Sequence, residues 1–283
     1  MDNRIDNEIN NLTALADLST ALKLNNNKLC LFLDIDGTLC AFQLHPEDCY
    51  IPEKTLNVID QIIAKQIPVI AVTGRDIQSA QRLFEPIDLP IAALHGLEIY
   101  LNKQQKFKNK NIFPDMSALY NELVKACSAY PDLLIENKLS SVALHYRKAP
   151  KLEHLAKAIM LELQQAFPHL KLIRGKCVYE LISAQANKGQ AIKQLLNHFN
   201  QQDRYRPVFI GDDVTDEDGF EYVNQVPAGI SIKVGQGFTQ ARYRLQDINQ
   251  VHEFLEVFLQ HNQNLNNNTQ GSKNLIGEKT CLN

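Results

Sequence analysis

The run Leu29-Cys30-Leu31-Phe32-Leu33 is apolar at every position. A strand with one face in water alternates apolar and polar residues, and a strand covered on both faces does not. The run therefore predicts a central strand of a parallel sheet with helices on each side. Its end is as informative as its body. Asp34 and Asp36 follow at once, with Gly37 and Thr38 behind them. Like charges at the end of a buried strand repel one another and resist burial, so the pair calls for a chemical reason.

The neighbouring segments supply the partners such a strand needs. After Pro52, which suits a first helical turn, Leu56, Ile59, Ile62 and Ile63 recur at helical spacing. IPVIAV (67–72) reads as the next buried strand, Asp76 as the cap of a helix running to Phe84, and IAAL (91–94) as a third strand. Residues 97–101 and the tract NKQQKFKNKN then break the alternation. A helix over about 115–130, strands at 132–137 and 140–146, a helix over 151–167 and strands near 170–174 and 177–182 predict a small α+β insert with an open sheet face. The alternation returns with a helix from Lys188, strand 207–211, a helix near 216–223, strand 229–234 and a last helix carrying Val251, Phe254, Leu255 and Phe258.

The expected fold is α/β: a Rossmann-like, doubly wound parallel sheet with an inserted α+β cap domain. Residues 28–101 and 185–262 form the core and 102–184 the cap, with hinges near 101–104 and 182–187. Residues 1–27 are an Asn-rich polar arm with a short amphipathic helix at 12–24, and 263–283 are low in core formers, a composition of disordered chain.

Composition narrows the partners. A net charge of −3 argues against nucleic acid or an anionic membrane surface. No apolar run approaches the roughly 20 residues that cross a bilayer. The start, MDNRIDNEINN, is polar rather than a secretory signal, which points to the cytoplasm. Cysteines 30, 40, 49, 127, 177 and 281 show neither CxxC nor zinc spacing. Free thiols in a reducing compartment are the default reading, and a Cys40–Cys49 disulfide is the alternative.

In open α/β sheets ligands bind at the carboxyl ends of the strands. Three predicted strand ends here carry polar residues: Asp34-Ile35-Asp36-Gly37-Thr38, Thr73-Gly74-Arg75, and Gly211-Asp212-Asp213 with Asp216 and Glu217 close behind. Asn187-Lys188-Gly189 opens a helix. Each piece alone is also what a turn or helix cap uses. Brought together, the carboxylates would repel unless a hard divalent cation such as Mg²⁺ joined them. A metal, a lysine, a hydroxyl and glycine turns suit a phosphate, and a carboxylate can serve as the nucleophile in phosphoryl transfer.

In this order DIDGTL, TGR, NKG and GDDVTDE resemble the four motifs of the haloacid dehalogenase superfamily of phosphohydrolases, over a span from 29 to about 260. The resemblance implies Asp34 as nucleophile and Asp36 as general acid and base. It implies that Thr73 and Lys188 hold the phosphate and that Asp212 completes a Mg²⁺ site with Asp34 and the main-chain carbonyl of Asp36. Asp213 would support the metal shell or Lys188. Ile35 and Thr73 stand where the usual motifs read DYDGTL and SGR, and neither change removes a functional group the chemistry needs.

The strings LHGLE (94–98), ENKLSSVALHYR (136–147), RGKCVYEL (174–181) and VGQGFTQARYRL (234–245) resemble the trehalose-6-phosphate phosphatases. That resemblance implies Glu136, Lys138, Arg147, Lys176 and Glu180 as sugar contacts, with His95 and Gly96 at the core's edge of the cleft and Gly74 and Arg75 in the same substrate set. His145 reads as packing or solvent-facing. The function implied is Mg²⁺-dependent hydrolysis of a small sugar phosphate, trehalose 6-phosphate, through an aspartyl-phosphate, with a functional link to a trehalose-6-phosphate synthase. The alternatives are another sugar phosphate, such as sucrose 6-phosphate or a mannosyl phosphate, and a catalytically weak sugar-phosphate sensor.

Overall fold

A computed structural model describes residues 15–23, 27–43, 46–108, 116–138, 140–175, 177–201 and 204–261. The expected tail, 263–283, and most of the polar arm lie outside these residues. In chain order the first elements are α1 (Leu15–Lys23), β1 (Lys28–Leu33), α2 (Glu53–Ala64), β2 (Val69–Val72), α3 (Ile77–Phe84), β3 (Ile91–Ala93), β4 (Glu98–Asn102) and β5 (Gln105–Lys108). The insert supplies α4 (Met116–Cys127), β6 (Leu134–Asn137), β7 (Ser141–His145), α5 (Glu153–Ala166), β8 (Leu170–Gly175) and β9 (Val178–Ser183). Then come α6 (Lys188–Phe199), β10 (Tyr205–Gly211), α7 (Glu217–Gln225), β11 (Ile230–Val234), β12 (Tyr243–Leu245) and α8 over 248–261.

The strands form an eight-stranded sheet, order β12-β11-β10-β1-β2-β3-β4-β5, and a four-stranded sheet, order β6-β7-β9-β8. In the large sheet β1 pairs parallel with both β10 and β2. Its side chains explain the unbroken apolar run. Leu29, Leu31 and Leu33 join one cluster with residues of α1, α2, α3 and α8, and Cys30 and Phe32 join another with residues of α6 and α7. All five are 0–1% exposed. Each large one contributes roughly 1.5–3 kcal/mol by leaving water.

The helices start as the sequence predicts. Asp76 caps α3 by accepting from the Ser79 N–H at 2.9 Å. Asn187 caps α6 by accepting from the Gln190 N–H at 2.7 Å. Each cap contributes about 1 kcal/mol and fixes where its helix begins.

Three features differ from expectation. The segment that breaks the alternation is an antiparallel hairpin, β4–β5, that extends the large sheet beyond β3. The expected core boundary and hinge at 101–104 fall inside this hairpin. Ile99 and Tyr100 are buried on opposite sides of it, at 4% and 2% exposure, so sheet pairing continues where the parallel pattern stops. Second, ARYRL contributes the edge strand β12, which is too short for periodicity to reveal. Third, Cys40 and Cys49 form a disulfide, whereas free thiols were the default expectation. The turn after β1 folds back, with the Gly37 N–H donating to the Cys40 carbonyl at 2.8 Å, and the 3₁₀ turn Pro46–Asp48 leads into Cys49, so the two cysteines meet with their Cα atoms 6.4 Å apart. Cys30 and Cys127 are free and buried, and Cys177 is free and half-buried. Among the described residues no helix is long and apolar enough to cross a membrane.

In the small sheet Val142, Leu144, Tyr179 and Leu181 pack on one face against α4 and α5, with Leu119, Leu123, Ala156 and Met160. The other face is the open one. Ile173 and Ile182, which point from it, pack into a cluster of the large sheet, so this face turns toward the strand ends of the core.

Candidate active site

Register places the polar motifs together. Leu33 of β1 lies across from Ile210 of β10 and Ala71 of β2. The next residues of all three strands therefore emerge at one edge of the sheet. Asp34, 4% exposed, accepts from Lys188 Nζ through Oδ1 at 2.7 Å and from the Thr38 hydroxyl through Oδ2 at 3.3 Å. Lys188, 2% exposed, donates also to Asp216 Oδ1 at 2.7 Å. The other oxygen of Asp216 accepts from the main-chain N–H groups of Asp212 and Asp213, each at 2.9 Å. Asp216 therefore anchors the lysine and shapes the loop that carries Asp212.

Asp213 was expected to support the metal shell or Lys188. The structure gives Lys188 to Asp216 instead, because the 3₁₀ turn Val214–Asp216 swings Asp216 inward. Asp213 and Glu217 flank the same short turn, so nothing in the sequence singled Asp216 out. Lys233 was also missed. Its ammonium donates to the Asp212 carbonyl, and it is a lysine inside a strand whose five residues are all buried.

Asp34, Asp212 and Asp216 place carboxylate oxygens within 4.8 Å of one another. Burial first, then Asp216 and Asp36, push the Asp34 carboxyl up to about 7 despite Lys188. Burial first, then Asp34, Asp216 and Asp213, push Asp212 up to about 9. Asp212 Oδ1 is buried without a hydrogen-bond partner. An orphaned carboxylate oxygen facing a second carboxylate is what a hard divalent cation relieves, so the donor set fits Mg²⁺. Asp216 takes three bonds of 2.7–2.9 Å and is 0% exposed, whereas Asp34 Oδ2 accepts only the Thr38 hydroxyl at 3.3 Å, so Asp34 and Asp212 are the side chains that would hold it. Gly37 makes the approach feasible. It adopts φ +80°, and a Cβ there would stand 2.0 Å from Asp212 Oδ2.

Asp36 takes no part in that carboxylate cluster. Arg75 holds it with two charge-assisted bonds, Nε to Oδ2 at 2.7 Å and Nη2 to Oδ1 at 2.6 Å, and braces itself on the Ser79 hydroxyl at 3.2 Å. Arg75 was expected against substrate, and its guanidinium instead orients Asp36. Thr73 is fully buried at the end of β2, and its hydroxyl accepts from the Arg75 N–H at 3.1 Å. Gly74 lies under the His95 ring, which a Cβ would meet at 2.6 Å. His95 sits at φ +55° with its main-chain N–H donating to the Thr73 carbonyl at 2.9 Å. Burial first, then Lys188, push its imidazole down to about 4, so the ring is neutral at pH 7. Gly96 packs against the start of α6, beside the Asn187 carbonyl.

Three of the expected sugar contacts form one group on the open face of the small sheet. Glu180 Oε1 accepts from Lys138 Nζ at 3.1 Å and from the Ser141 hydroxyl at 2.5 Å. Lys138 also meets Glu136 at 3.7 Å. Burial pushes Glu180 up, but Lys138 and the Ser141 hydroxyl outweigh it and hold the carboxyl below its ordinary range. Arg147 lies just past β7 and is exposed. Lys176 lies outside the described residues.

The doubly wound sheet defines a fold class, that of the haloacid dehalogenase-type hydrolases. A haloacid dehalogenase-like hydrolase from B. subtilis shares the fold, with a TM-score of 0.57 at 17% identity over 81% of this chain and 99% of that one. A family model described as trehalose-phosphatase matches residues 32–249. A trehalose-6-phosphate phosphatase of Escherichia coli is 33% identical over 81% of this chain and 86% of its own length. A probable trehalose-phosphate phosphatase of Sinorhizobium fredii is 37% identical over 77% of this chain and 82% of its own. The chain belongs to the trehalose-phosphatase family and is a phosphoric monoester hydrolase.

Proposed function

We propose that the chain hydrolyses trehalose 6-phosphate to trehalose and phosphate through an aspartyl-phosphate on Asp34, with Mg²⁺ as cofactor. The observation that carries this reading is the buried Asp34–Lys188–Asp216 set beside the orphaned Asp212 oxygen. Asp34 attacks phosphorus, and the bond from phosphorus to the sugar oxygen breaks. Arg75 releases one Asp36 oxygen and keeps the other, and Asp36, carrying a proton on the released oxygen, gives it to that leaving oxygen. Asp36 then takes a proton from the water that attacks phosphorus and frees Asp34. Lys188 and the Thr73 side chain hold the phosphoryl oxygens, and Arg75 keeps Asp36 aimed at them. Mg²⁺, held by Asp34, Asp212 and the Asp36 carbonyl, supplies neutralisation of the charge on the transferring group when bound. Asp213 supports the loop that carries Asp212.

The sugar is read by the insert, acting as a cap over the core. Glu136 and Glu180 accept from hydroxyls, and Lys138, Arg147 and Lys176 donate. His95 and Gly96 line the core side. Family membership supports trehalose as the sugar, and a functional link to the synthase that makes its phosphate goes with that substrate.

The test is phosphate release from trehalose 6-phosphate, sucrose 6-phosphate and a mannosyl phosphate, with Mg²⁺ and with a chelator. Preferred turnover of trehalose 6-phosphate that stops on chelation is expected. Equal rates across the panel would remove the sugar assignment, and undiminished turnover in chelator would remove the metal.

Glu180→Ala separates sugar recognition from chemistry. It should lower kcat/KM for trehalose 6-phosphate by roughly 100-fold, the worth of a lost charged hydrogen bond plus a Lys138 left with Glu136 alone. Turnover of a small aryl phosphate should change little. A parallel loss on both substrates would make Glu180 a structural residue.

A further inference from the structure

Residues paired directly across a sheet project from the same face. Glu136, Ala143 and Glu180 are so paired across β6, β7 and β9, and both carboxylates stand on the open face with only a methyl group between them. His145, two residues along β7 from Ala143, projects from that face too. Its Nε2 lies 3.0 Å from Glu136 Oε2, and the ring N–H donates to the carboxylate. This hydrogen bond is the largest influence holding the Glu136 carboxyl below its ordinary range. The same glutamate oxygen meets Lys138 Nζ at 3.7 Å, and Lys138 passes the connection to Glu180 Oε1 at 3.1 Å. One run of contacts thus leads from His145 through Glu136 and Lys138 to Glu180. Among the described contacts, Glu136 Oε1 and Glu180 Oε2 stand outside it.

Stability does not explain the His145–Glu136 pair. The two side chains are 33% and 35% exposed, and ion pairs that open to solvent contribute little to folding. Orientation does explain it. An unrestrained glutamate must lose rotamer freedom when it binds a hydroxyl, and a side chain already held avoids that loss.

We propose that His145 is a positioning residue for substrate recognition, holding Glu136 in the rotamer that receives a sugar hydroxyl and, through Lys138, setting its spacing to Glu180. The ligand class is a polyhydroxylated sugar that offers hydroxyls to two carboxylates joined by an ammonium group. The inference rests on the reading of the chain as a sugar-phosphate phosphatase.

The test uses the full chain with Mg²⁺ and compares wild type, His145→Ala and His145→Gln on trehalose 6-phosphate and on p-nitrophenyl phosphate. His145→Ala is expected to raise KM for the sugar phosphate about tenfold, the worth of one hydrogen bond to a charged group, with kcat within about twofold. His145→Gln, whose amide N–H can donate to Glu136, is expected to keep most of the wild-type KM. Both variants should turn over the aryl phosphate as wild type does. An unchanged KM in His145→Ala, or an equal loss on the aryl phosphate, would overturn the assignment. A wild type with no preference for the sugar phosphate would overturn the functional reading, and this inference with it. The wild-type comparison tests the reading, and the variants test His145.

Discussion

Asp34→Asn is expected to lower turnover by on the order of 10⁴-fold or more, because an amide cannot form the aspartyl-phosphate. The same variant should melt within a few degrees of wild type. The charge on Asp34 is costly where it stands: burial first, then Asp216 and Asp36, push its carboxyl up to about 7, and Lys188 opposes them. Removing its charge relieves repulsion with Asp212, while Lys188 keeps Asp216 at 2.7 Å. Loss of activity with a retained melting point is therefore the signature of a nucleophile. Phosphate release and a thermal melt, run on one preparation, check both halves. Retained activity would remove Asp34 from its role, and a collapse of the fold would make it structural.

Lys188→Met should do the reverse on stability. The lysine is the ammonium between Asp34 and Asp216, at 2.7 Å from each, and all three side chains are buried. Taking away one partner of a buried pair leaves uncompensated charge and costs about 3–5 kcal/mol. The carboxylates already crowd one another, since burial and its neighbours push Asp212 up to about 9 even with the lysine present. Activity should fall by roughly 1,000-fold or more, as a charge-stabilising donor is removed from the transferring phosphate. Chemical denaturation and steady-state turnover measure the two effects. A variant as stable as wild type would show that Asp34 and Asp216 do not need the cation for folding.

The two substitutions divide the site as the sequence divides it. The strand ends were legible because burial leaves a plain mark on composition: five apolar residues in succession, then Asp34 and Asp36. The caps at Asp76 and Asn187 were legible because a helix start needs a side-chain acceptor at one position. The hairpin β4–β5 was not, since its strands sit at the antiparallel edge of a parallel sheet and carry neither of the patterns that mark the centre. The Cys40–Cys49 disulfide was not, since pairing depends on where a turn returns the chain.

The same distinction runs through the site. Which aspartate serves Lys188 could not be read from GDDVTDE, where Asp212, Asp213, Asp216 and Glu217 are all candidates. The short turn Val214–Asp216 decides it by pointing Asp216 inward with 0% exposure. The family resemblance put Arg75 among the substrate contacts. Its partner, Asp36, lies 39 residues away in the chain, and only the pairing of β1 with β2 brings them together. His145 read as packing or facing solvent, and its proposed use depends on Glu136 in the strand next door.

By itself the sequence determined the layered α/β architecture, the strand ends that carry chemistry and the residue types gathered there. These are local consequences of burial periodicity and capping. The tertiary structure alone decided the partnerships: Lys188 with Asp216, Asp36 with Arg75, Cys40 with Cys49 and His145 with Glu136. Each joins groups whose distance is set by strand register or by a turn, and composition carries no record of either.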